Sequence, residues 1–112
     1  MTPRLATSVI VGGLIRKAES EGGFAAVLAK GDPTAGSLLV LLAERGTTPW
    51  ILERILQADG RYEWQHARQV SDNPREVPEF IARRRRFDPD LWILELDIPA
   101  RERFAAEMNA FD

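Results

Sequence analysis

The segment SLLVLLAE, residues 37 to 44, carries apolar side chains at both parities. Successive residues of a strand point to opposite faces, so such a run fits a central strand covered on both sides. Turn-rich stretches bound it, GDPTAG before and GTTP after. A fold built around this strand needs a second covering layer, or must hide one face by self-association.

The chain is long enough to supply those layers. Its 112 residues are 45% hydrophobic and 29% charged, the length and balance of one compact domain spanning residues 1 to 112. A domain of this size buries roughly two-thirds of the surface its unfolded chain exposes, so the core requires no metal or disulfide. No cysteine is present, which removes disulfides, thiolate metal sites and cysteine nucleophiles and fits a reducing compartment. Fifteen basic against seventeen acidic residues give a net charge of -2. No global field therefore draws the protein onto nucleic acid or anionic lipid. The apolar run from Leu5 to Ile15, preceded by Arg4, has the outline of a signal peptide, but Gly12 and Gly13 interrupt it and RKAESE follows. It also falls short of the roughly 20 residues of a membrane span. The run reads as part of the fold, and the protein as cytoplasmic without a membrane partner.

Residues 5 to 21 read as a helix ending at Gly22 and Gly23, because Ile10 or Val11, Leu14 or Ile15, and Ala18 recur at helical spacing. The alternative is that LATSVIV pairs as a short strand. FAAVLAK and SLLVLLAE read as strands joined by GDPTAG as a hairpin loop. WILERILQ and RYEWQHA form a further hairpin around ADG. NPREVPEFIARRRRF reads as a helix and DLWILELD as a fifth strand. Pro99 opens a last helix on which Phe104, Met108 and Phe111 form one stripe. The order α-β-β-β-β-α-β-α gives an α+β fold: a mainly antiparallel five-stranded sheet, its first four strands a meander, with three helices, at least two on one face.

The spacing Gly31, Gly36, Ser37 has the outline of a phosphate-binding loop, but Ser37 stands where that loop needs a lysine, and Asp32 adds a negative charge. The stretch reads better as a connection in which Pro33 fixes one φ and Gly31 or Gly36 supplies a positive one. The run Arg83 to Arg86 invites an RNA-binding reading. Four consecutive helical residues fan over about 300°, however, so they form no flat basic face. Residues 75 to 90 carry five positive and four negative charges, which fits a balanced network with the Arg84 stem beside Phe80 and Ile81. Anion binding by two of these arginines, Arg84 and Arg85, is the sharper alternative.

His66 is the only histidine. A two-residue turn at Asp59-Gly60 would pair it with Glu53, an orienting dyad; a three-residue loop, Ala58 to Gly60, would pair it with Leu52. The second register gathers Trp50, Leu52, Leu56, Tyr62 and Trp64 on one face, and burial favours it. Asp88 and Asp90 flank Pro89 between helix and strand, while alternation sends Glu95 and Asp97 to the face opposite Trp92, Leu94 and Leu96.

Three stretches, GGFAAVLAKGDPTAGSLLV, LERILQADGRYEW and RRRRFDPDLWILELD, together resemble an alphaproteobacterial family, domain of unknown function 1491. The resemblance covers most of the chain, and FDPDLW is its most recognisable part. It implies a small soluble bacterial protein and brings no established activity or catalytic residues. The functional expectation is a binding or adaptor domain for a protein partner or a small anionic ligand, with self-association as a homodimer. Candidate ligand residues are Asp32, His66, Arg84 and Arg85; no cofactor or metal is implied. Alternatives are an enzyme using His66 with nearby carboxylates and an RNA-associated protein acting through Arg83 to Arg86.

Overall fold

Thr7–Ser20 forms the first helix, α1, and buries Ile10, Val11, Leu14 and Ala18 along one stripe. Its end is set by the glycine pair. Gly22 adopts φ +80°, its N–H donates to the Glu19 carbonyl at 3.0 Å, and the Gly23 N–H donates to the Ala18 carbonyl at 2.8 Å. These two bonds are the Schellman pattern that a left-handed glycine makes accessible. The LATSVIV segment is thus helical from Thr7 onward, with Ile10 and Val11 in the core.

The computed structural model describes residues 5–67 and 74–111, with backbone alone for Pro74, Ala110 and Phe111. After α1 come β1 (Phe24–Ala29), β2 (Leu38–Glu44), β3 (Trp50–Leu56) and β4 (Tyr62–His66). A 3-10 turn, Pro74–Glu76, then leads into α2 (Val77–Phe87), followed by β5 (Trp92–Ile98) and α3 (Arg101–Phe111). Phe104 and Met108 of α3 are buried; the side chain of Phe111, the expected third member of that stripe, lies outside the described residues.

The five strands form one sheet in the order β1-β5-β2-β3-β4, which corrects the expected four-stranded meander. β2, β3 and β4 are consecutive antiparallel neighbours. β5, however, inserts between β1 and β2, antiparallel to the first and parallel to the second. GDPTAG is therefore a crossover past the start of β5, not a hairpin loop. Burial accompanies the insertion: β2 and β5 are the two strands buried at most positions, whereas β1 and β3 are largely part-exposed, and adjacent central places cover both faces of each. The alanine-rich β1 takes the edge.

One face carries α1 and α3 over Leu38, Val40, Leu42, Leu94 and Leu96. The other carries α2, whose Phe80 sits among Leu39, Leu41, Ile51 and Ile93. The both-sided apolar pattern of β2 thus reflects a second covering layer. In the β3–β4 hairpin Leu52 lies opposite His66, Gly60 has φ +87°, and the Gln57 N–H donates to the Arg61 carbonyl at 2.7 Å. These are the features of the three-residue loop.

Gly31 and Gly36 are not among the positive-φ glycines, which are Gly22, Gly46 and Gly60. Their role is close approach. A Cβ at either would overlap the Asp90 carbonyl oxygen, so the crossover can hug the entry to β5 only with no side chain at these two places.

Candidate functional site

The helix α2 is narrow relative to the sheet face it covers. Phe80 is its one buried residue, and Arg84, one turn on, reaches over β3 to Glu53 in a two-pronged ion pair of 2.8 and 2.7 Å. The hydrogen bonds that Arg84 donates to Glu53 outweigh burial and hold its guanidinium above the ordinary pKa. With α2 anchored on this side, the part of the face over β1, β5 and the end of β2 is left open.

That opening is a cleft of about 550 Å³, within the usual size of small-molecule sites. Leu41, Ala43 and Glu95 contribute to its floor, Ile81, Ala82 and Arg85 form the helix wall, Leu28 stands at the β1 side and Pro49 at the β2–β3 turn. Ala43 and Ala82 leave room that larger side chains would fill. Asp97 accepts a hydrogen bond from the Gly46 N–H at 2.8 Å, which holds its carboxylate at the turn end. Arg85 lies two turns along α2 from Val77, towards the start of β5. Among the described residues neither Arg85 nor Glu95 has an ion-pair partner. The cleft is thus an apolar trough with an uncommitted cation on one wall and carboxylates on the floor and far end.

Of the four candidate residues, His66 and Arg84 border one cavity of about 280 Å³, whereas Asp32 and Arg85 lie elsewhere. Arg85 lines the cleft, while Arg84 belongs to the ion pair beside it. Arg83, Arg85 and Arg86 are exposed and Arg84 is turned inward, the fan that helical geometry dictates. His66 is exposed and packs edge-on against Trp50, with centroids 5.3 Å apart at 65°. Because Glu53 pairs with Gln65 and His66 with Leu52, Glu53 and His66 project from opposite faces. The dyad that the two-residue turn would have made is absent.

Asp32 organises its own loop. Its carboxylate accepts from the N–H groups of Thr34 and Ala35 at 3.3 and 2.7 Å, its N–H donates to the Asp90 carbonyl at 3.1 Å, and its carbonyl accepts from Trp92 Nε1 at 2.7 Å. The same loop caps α1: the N–H groups of Thr7 and Ser8 donate to the carbonyls of Thr34 and Pro33 at 3.2 and 2.9 Å. Amides that a phosphate would need are already paired. A smaller cavity, about 330 Å³, lies beside this loop next to Thr34, Ser37 and Tyr62. Among the described residues no group of three or more potential ligands could hold a metal ion, and no helix is long and apolar enough to cross a membrane.

The family model for the protein of unknown function DUF1491 matches residues 5–106. The chain belongs to the DUF1491 family. A crystal structure of a DUF1491 protein from Caulobacter crescentus CB15 is 31% identical over 90% of this chain and 94% of that one, with a TM-score of 0.80. The NMR structure of a DUF1491 protein from the same organism gives 31% identity, 92% and 94% coverage and a TM-score of 0.78. The solution structure of protein Atu0922 from A. tumefaciens is 28% identical over 85% of this chain and 86% of that one, with a TM-score of 0.70. Both organisms are alphaproteobacteria. No curated protein matches the chain. In this DUF1491 protein the GDPTAG and FDPDLW segments meet in space: Asp32 and Ser37 bond to Asp90 and Trp92, and Leu91 is buried under α2. The most recognisable part of the sequence is therefore the joint between crossover and β5, and none of its residues lines the cleft.

Proposed function

We propose that this DUF1491 protein is a binding domain whose α2 cleft holds a small ligand with an apolar body and one anionic group. The observation that carries the reading is Arg85 on the wall of an apolar cleft without an ion-pair partner among the described residues. A guanidinium at the edge of a low-dielectric trough favours a carboxylate or similar acceptor. Glu95 and Asp97 would repel a second negative charge and so select singly charged ligands over dicarboxylates or polyphosphates. A cytoplasmic location fits the cysteine-free chain.

An NMR titration with octanoate as probe and adipate as control tests the reading. Octanoate should shift Ala43, Ile81, Ala82 and Glu95, and Arg85→Gln should weaken its binding about tenfold or more. Equal binding by that variant, equal binding of adipate, or shifts centred on residues 31 to 37 would overturn it. A second reading, a homodimer, is favoured by a different observation: the edge strand β1 is uncharged and exposes Phe24, Val27 and Leu28.

A further inference from the structure

The two edges of the sheet are built differently. β4 has five residues, among them Glu63, Gln65 and His66, and is flanked by Arg61; short length and charge are the usual guards against strand addition. β1 has six residues, FAAVLA, with no charge. Its Phe24, Val27 and Leu28 are 59%, 44% and 42% exposed. Among the described residues its only strand neighbour is β5, so its outer side lacks a strand partner.

We propose, resting on the homodimer reading, that a second copy of this chain pairs antiparallel along β1 about a two-fold axis through Ala26, joining the two sheets into one. The register follows from which face each residue occupies. Phe24 and Ala26 lie opposite Asp97 and Glu95, on the α2 face, while Ala25 and Val27 lie opposite Leu96 and Leu94, on the α1 and α3 face. Leu28 sits at a register shift between Val27 and Ala29 and lines the cleft on the α2 face.

With the axis at Ala26, Phe24 of each copy stands opposite Leu28 of the other, both on the α2 face. Val27 stands opposite Ala25, both on the other face. Every exposed apolar side chain of the strand gains an apolar partner, and small alanines occupy the centre. An axis at Val27 would set Phe24 against Lys30, and one at Ala25 would leave Leu28 opposite Gly22, beyond the strand. Burial therefore selects one register. The uncharged strand offers nothing to a partner of particular charge, and this match of large against small with itself is what an isologous contact requires. The pairing would also bring Phe24 of the second copy beside Leu28, closing the open side of each cleft.

Sedimentation and crosslinking test the proposal on the whole chain. The wild type should dimerise reversibly, and Val27→Lys should raise the dimer dissociation constant about thirtyfold, since each interface contains the Val27 site twice. Val27 is exposed enough for the variant to fold, which circular dichroism checks. Because the chain has no cysteine, Ala26→Cys gives a specific second measurement. Opposed residues in an antiparallel pair lie about 4.5–5.5 Å apart at Cα, within disulfide reach. Oxidised glutathione should therefore link Ala26→Cys into a covalent dimer and leave Glu63→Cys, on the opposite edge, largely unlinked. A chain that stays monomeric at the highest concentration used for NMR would overturn both the homodimer reading and the pairing. A dimer that Val27→Lys leaves intact, with Ala26→Cys unlinked, would overturn the β1 pairing alone. Because Ala43, Arg85 and Glu95 all come from one copy, the octanoate titration tests the ligand reading whichever result is obtained.

Discussion

Replacing Gly31 with alanine puts the crossover geometry under direct test. A Cβ there would overlap the Asp90 carbonyl oxygen and stand 2.6 Å from the Asp90 carbonyl carbon and 2.8 Å from that of Leu91. All three neighbours are backbone, so no rotamer change relieves the clash. The loop must move, and the 3.1 Å bond from Asp32 N–H to the Asp90 carbonyl and the 2.7 Å bond from Trp92 Nε1 to the Asp32 carbonyl move with it. Overpacking costs about 1–3 kcal/mol, and each weakened bond adds about 1 kcal/mol. Alanine returns about 0.4–1 kcal/mol by restricting the unfolded chain. The expected net loss is about 3 kcal/mol, a large share of the roughly 6–17 kcal/mol expected for a domain of this length. Gly46→Ala is the control: its φ is +78° but nothing lies within 4 Å of an added Cβ, so only the backbone cost of about 1 kcal/mol applies. Urea unfolding followed by tryptophan fluorescence compares the two. If Gly31→Ala costs no more than Gly46→Ala, close approach is not why glycine occupies this position.

Two further outcomes follow from the charged groups. Arg84→Met should cost about 1–3 kcal/mol, because Glu53, with only 21% of its side chain exposed, loses both of its strong donors; Glu53→Gln in the same chain should recover part of that loss. A double-mutant cycle measures the coupling, and additive losses would refute the pairing. In the network joining α1 to α3, Lys17 bonds Glu21 at 2.8 Å and Glu107 at 2.7 Å. The Lys17 hydrogen bond outweighs burial and holds the Glu21 carboxyl below its ordinary 4.5. Its stabilisation is therefore present above about pH 4.5 and is lost as pH falls through the lower folded value. For Lys17 burial acts downward, but the bonds to Glu107 and Glu21 together prevail and raise its pKa above 10.5. That contribution is complete below pH 10.5 and is lost as pH rises through the higher folded value. Urea midpoints of Glu21→Gln should fall less than those of the wild type between neutral and acidic pH; parallel profiles would contradict the shift.

Local signals carried much of the fold. The glycine pair that ends α1 needs only its own turn to be read, and the apolar run of β2 needs only strand alternation. The register of the β3–β4 hairpin followed from asking which pairing puts Trp50, Leu52 and Trp64 together, and all three do pack into one core. Strand order lay beyond such reasoning. Whether β1 pairs with β2 or with β5 is decided by contacts between Phe24–Ala29 and Ile93–Asp97, far apart in sequence, while the intervening Pro and Gly look the same in a hairpin as in a crossover. The same distance hid the purpose of Gly31 and Gly36. A glycine placed for positive φ and one placed for close approach are identical in sequence, and the atom that distinguishes them here belongs to Asp90.

The candidate site shows where reading by rows along a helix succeeds and where it stops. Arg84 follows Phe80 by four residues and Arg85 follows Ile81 by four, so the two arginines extend adjacent rows about 100° apart. The Phe80 row is buried over β3, where Glu53 meets Arg84, and this row serves the fold. The Ile81 row looks over β5 and the end of β2, where Ala43 keeps the floor low. The pattern FIARRRR could announce that neighbouring arginines face differently, but not which would find a carboxylate within reach, because that depends on β5 entering the sheet beside β2. Had β1 stayed next to β2, Glu95 and Asp97 would not lie beneath this helix, and the cleft would have a different floor. The binding reading rests on Arg85 for that reason: its row is the one that the strand order leaves open.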